Sequence, residues 1–140
     1  MRTGSWLLLG LLAVTGSAAP PHAAIRGWWR GTSTCIKADW NAACHDEQVI
    51  YRFTPAAKDS TQSTLRAWKL VAGKPELMGD LDFAYEADSA RWNGYFANGR
   101  VDIHWSYWIV RDTLMGQVVI RPGMQVGRRV VAVRGGEFHE

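Results

Sequence analysis

The chain has 140 residues, 47% of them apolar, and sets 16 Lys and Arg against 13 Asp and Glu for a formal net charge of +3. A chain of this size fits one domain around one core and leaves no room for a second. Its near-balanced charge, with the arginines scattered apart from Arg121, Arg128, Arg129 and Arg134, argues against the basic face that nucleic-acid binders use to displace counterions.

Residues 1–19 combine a single Arg2, a short apolar run over 6–14 and small residues before Pro20. This is the layout of a secretory signal peptide, with cleavage expected after Ala18 or Ala19. The run is shorter than the roughly 20 apolar residues a bilayer span requires, and no cysteine stands at the junction to carry a lipid. The expected product is one domain over 20–140, secreted or periplasmic, without a membrane span. Loss of Arg2 lowers its formal charge from +3 to +2.

Cys35 and Cys44 are the only cysteines. In an oxidising compartment an isolated pair around a short loop is expected to be a disulfide, contributing about 2–3 kcal/mol in the chain-entropy model. The spacing of a thioredoxin-like motif and the paired ligands of a structural zinc site are both missing. His45, Asp46 and Glu47 are ligand types, but three consecutive residues do not turn to one point, so no metal site is assigned.

From Arg26 onward the chain alternates apolar and polar residues with period two, as half-buried strands do. Leu77, Gly79, Leu81, Phe83 and Tyr85 alternate with Met78, Asp80, Asp82 and Ala84, and Val101, Ile103, Trp105, Tyr107 and Ile109 with Asp102, His104, Ser106 and Trp108. Eight strands are expected, over 26–36, 47–54, 63–72, 76–86, 90–97, 100–110, 113–121 and 124–134. The dipeptide Asn98-Gly99 reads as a two-residue type I′ hairpin turn, since both residues tolerate positive φ. The other connections are too short for parallel crossovers, so neighbouring strands should pair antiparallel. Closure into an eight-stranded barrel removes both sheet edges, and a two-sheet sandwich is the alternative.

Asp102, His104 and Ser106 spell the residue types of a hydrolase triad. Same-face strand neighbours stand about 7 Å apart, and nothing marks a nucleophile turn or an oxyanion hole. They read as the wet face of a strand, and no catalytic residue is assigned. A haem would need His104 or His45 to face inward, so no cofactor is expected.

Gly27-Trp28-Trp29 at the first strand, the long loop that follows, the run of hairpins and the basic last strand resemble the lipocalin-like, or calycin, barrels, in particular small secreted bacterial ones. The resemblance implies an all-β, eight-stranded antiparallel up-and-down barrel. It also implies a Gly-x-Trp indole packed beneath an arginine of the last strand at the barrel floor. Trp29 fits that register, with Trp28 as the second candidate, and Arg134 or Arg129 supplies the arginine.

Such a barrel either fills its interior with side chains or leaves a pocket. The expected role is binding or carriage of a small hydrophobic ligand by a monomer, with Trp105 and Tyr107 on the inner wall and Trp40 on the 37–44 loop covering the mouth opposite the floor. The alternative is a ligand-free exported module that contacts another protein or the envelope. Intact mass of the exported protein should show loss of the leader through Ala18 or Ala19 and a deficit of two hydrogens that reduction restores; two free thiols would contradict this.

Overall fold

In the computed structural model of the chain, residues 16–140 are described, so the leader expected over 1–19 lies almost wholly outside the described residues. A 3-10 turn at Pro21–Ala23 precedes eight strands: β1 Gly27–Cys35, β2 Glu47–Pro55, β3 Ser63–Val71, β4 Lys74–Glu86, β5 Arg91–Ala97, β6 Asp102–Val110, β7 Thr113–Ile120 and β8 Gln125–Arg134. Each strand pairs antiparallel with the next, and β8 pairs back onto β1, so the sheet is a closed up-and-down barrel rather than a sandwich. The alternation in the sequence locates every strand end to within two residues.

The floor is built on the register Trp29↔Arg134 between β1 and β8. Trp29 is buried, and the Arg134 guanidinium carbon lies 3.8 Å from the centre of its ring. The Trp29 indole N–H donates to the Ile25 carbonyl at 2.7 Å, while Arg134 donates to the carbonyls of Arg26 and Ala24. One arginine therefore ties the entering chain to the last strand, with a cation–π term of about 0.5–2 kcal/mol added. Gly27 makes this approach feasible: its φ is +108°, and a Cβ there would stand 2.9 Å from Arg134 Nη1. Ile25 plugs the base, and the Trp92 indole N–H is satisfied by the His22 carbonyl at 3.0 Å.

Trp28 and Arg129 are not floor residues. The period of two sends Trp28 to the outer wall, where it stacks on Trp68 at 5.6 Å. Phe138 meets both rings edge-on, at 5.4 and 4.9 Å, and Glu140 pairs with Arg66 at 3.2 Å. The tail over 135–140 thus straps the outer faces of β1 to β3.

Two local expectations fail for identifiable reasons. Asn98 Oδ1 accepts the N–H groups of Arg100 and Val101, at 2.7 and 2.8 Å, so its side chain organises a four-residue loop in place of a two-residue turn. On β4 the register shifts between Ala67 and Trp68, where Gly79 pairs with Ala67 but Leu77 with Trp68. The extra residue is Met78, beside Gly79 at φ +144°. This bulge turns Leu77 outward, against its expected inner facing, and aims Met78 into the barrel.

Replacing Trp29 with Ala should lower the unfolding free energy by about 3–5 kcal/mol, measured by urea denaturation. Trp28→Ala should cost about 1–2 kcal/mol, because that indole is only partly buried. Equal losses would contradict the assignment of Trp29 to the floor.

Candidate functional site

The barrel is packed unevenly along its axis. Near the floor and middle, Phe53, Phe83, Tyr51 and Tyr107 meet edge to face with ring centres 5.3–5.9 Å apart, an arrangement favoured by the ring quadrupoles. Above them the inward positions turn small, with Ala67 and Gly79 facing across β3 and β4. A cavity of about 220 Å³ results, lined by Leu65, Leu81, Phe83, Phe96, Trp105 and Tyr107 among others. The β4–β5 seam holds only three paired positions, from Ala84↔Asn93 to Glu86↔Arg91. Beyond that seam the cavity reaches the surface between Met78 and Phe96, both exposed.

A second cavity of about 170 Å³ adjoins it, sharing Tyr51, Met78 and Trp105 and bounded by Trp40, Cys44, Glu47 and Arg128. The loop above it is held in three ways. Cys35 and Cys44 form a disulfide, with Cα atoms 5.5 Å apart. The N–H groups of Ile36 and Lys37 donate to the Gly127 carbonyl, at 2.8 and 3.2 Å. The Trp40 indole settles over Gly127, where a Cβ would stand 3.0 Å from its Nε1. Among the expected ligand-site residues, Trp105 therefore lines both cavities, Tyr107 the larger and Trp40 the smaller.

Arg128, one of the four arginines gathered near the C-terminus, is not a surface charge. It lies inside the barrel at 7% exposure. Its Nε donates to Ser33 Oγ at 2.9 Å, and Nη2 reaches Glu47 Oε2 at 3.2 Å and the His45 carbonyl. A buried charge of this kind is tolerable because it is paired and hydrogen-bonded. The signal was present in the strand period: once Arg134 faces inward, so do Ala132, Val130 and Arg128.

The other candidate groupings are dispersed. Asp102 pairs with Arg121 at 2.7 Å, His104 bonds Asn93 at 2.9 Å and stacks on Tyr95 at 4.5 Å, and Ser106 lies under Arg91. These three line the outer wall, each with its own partner. Asp46 accepts the Cys35 N–H at 2.8 Å while Glu47 turns to Arg128, so those adjacent carboxylates diverge.

Compared with protein-family models and with curated protein sequences, the chain matches none. Its class rests on architecture, an eight-stranded antiparallel barrel consistent with a lipocalin-like fold. No helix among the described residues is long and apolar enough to cross a membrane.

Burial pushes the Tyr51 phenol up to about 12 and Tyr107 well above the ordinary value. Unfolded phenols ionise near pH 10, so between about pH 10 and 12 the unfolded chain loses protons that the folded one keeps. Stability is fully present below that window and falls as pH rises through it. The decline should reach about 1.4 kcal/mol per pH unit for each tyrosine, and Tyr51→Phe should remove about half of it. Urea unfolding at a series of alkaline pH values measures this; equal slopes in both proteins would contradict it.

Proposed function

We propose that the protein is an exported, monomeric lipocalin-like carrier of a small hydrophobic molecule. The observation that supports this best is the apolar cavity above the ring layer, which reaches the surface between β4 and β5. An apolar cavity of about 150 Å³ accommodates one benzene-sized guest, so a ligand of one or two rings or a short chain fits here. The disulfide agrees with an oxidising compartment, and the leader-like first 19 residues with export to the periplasm or beyond. The alternative, a ligand-free module that contacts another protein or the envelope, draws on the exposed Leu77, Tyr95 and Met124.

Naphthalene, an apolar probe of suitable size, should bind inside and change the tryptophan fluorescence through Trp105. The opening lies between Met78 and Phe96 rather than at the expected place under the 37–44 loop, and Trp40 walls the adjoining smaller cavity. Met78→Trp, which narrows the opening, should therefore weaken that binding about tenfold, while Trp40→Ala changes it less. Native mass spectrometry of protein taken from its own envelope should show a retained small molecule. A flat fluorescence titration together with a bare chain would favour the interaction module.

A further inference from the structure

The geometry points to a neutral ligand with a strong acceptor oxygen, such as an ester or ketone carbonyl on an apolar body, in preference to a fatty-acid carboxylate. This rests on the carrier reading and deepens it.

Three features of the smaller cavity carry the inference. First, Arg128 is, among the described residues, the one basic side chain lining either cavity, and its charge is already balanced by Glu47, 3.2 Å away on the same cavity wall. A carboxylate entering there would face the Glu47 carboxylate and leave the enclosed site with an unmatched negative charge. In surroundings of low dielectric that is strongly unfavourable. The larger cavity offers no compensation, because its charged residue is Asp80, which Arg66 engages from outside through two bonds of 2.8 and 2.9 Å.

Second, the wall is rich in donors. Arg128 Nη1 has only the disulfide sulfur of Cys44, at 3.5 Å, and the Trp40 indole N–H points to the same sulfur at 3.1 Å. Sulfur is a weak acceptor, so one buried and one partly buried N–H group share a partner that satisfies neither well. A carbonyl oxygen between them gains two stronger bonds and adds no charge.

Third, the two cavities meet at Tyr51, Met78 and Trp105. These side chains stand between the two cavities, and once the flexible Met78 moves aside a molecule whose carbonyl lies beside Arg128 extends its apolar part past Trp105 towards Leu65 and Leu81. Charge balance at the inner end and apolar lining at the outer end together define the class: small, neutral, apolar along most of its length, with one oxygen acceptor at an end.

The test compares methyl octanoate with octanoate at neutral pH, two probes with the same chain and carbonyl that differ in charge, with naphthalene as a measure of cavity access. In the wild-type protein the ester should bind at least about tenfold more tightly than octanoate. In Glu47→Gln the arginine loses its counter-charge, and octanoate should gain at least about tenfold relative to the ester. Naphthalene affinity and the urea midpoint show whether that variant still folds, and the wild-type ratio is decisive without it. If naphthalene binds but octanoate equals or exceeds the ester, the ligand assignment is overturned while the carrier reading stands. If naphthalene, ester and octanoate all fail to bind, both fall together.

Discussion

The stack of the Arg134 guanidinium on the Trp29 indole, 3.8 Å from its ring centre, is the contact on which the barrel's geometry depends. It lies at the point where the first and last strands meet, and it sets their register. Because a strand presents alternate residues to one face, fixing Arg134 inward fixes Ala132, Val130 and Arg128 inward as well, and fixing Trp29 does the same for Gly31 and Ser33. The floor contact and the buried arginine of the upper cavity are consequences of one alignment. A slip of one residue between β1 and β8 would turn Arg128 out and Arg129 in, leaving Glu47 without its partner.

The interior then grades from solid to hollow. Rings of four residues interlock above the floor, and the inward positions above them shrink to Ala67 and Gly79. Met78, displaced by the bulge, occupies part of that space from β4. Its flexible thioether can move aside for a guest more readily than a branched side chain could. The upper loop is confined by the disulfide and by bonds to Gly127, so the donor groups of Trp40 and Arg128 are held ready rather than free to find water. Donors kept near a poor acceptor are costly unless a ligand completes them, and this feature links the fold to the proposed role.

Much of the fold was legible because the relevant forces are local or periodic. Alternating Ile103, Trp105, Tyr107 and Ile109 marked a strand with one dry face, and two cysteines in a short loop left one pairing to make. Gly27 and Trp29 carried the floor through their resemblance to a known barrel motif. What escaped depends on contacts distant in sequence. Arg128 looked like a surface charge because its partners, Ser33 and Glu47, come from β1 and β2. Phe138 gave no sign that it would meet Trp28 and Trp68. Asn98 acts through its side chain where the dipeptide pattern considers only backbone, and the bulge at Met78 had a single local sign, Gly79 inside a strand pattern.

The central claim is that a solid floor supports a hollow, accessible upper chamber. Xenon, which enters apolar cavities without needing polar partners, tests it directly in pressurised crystals. The account predicts xenon density among Leu65, Leu81, Phe83 and Trp105, and none beside Trp29 and Ile25. Density confined to the floor, or absent from the barrel altogether, would contradict it.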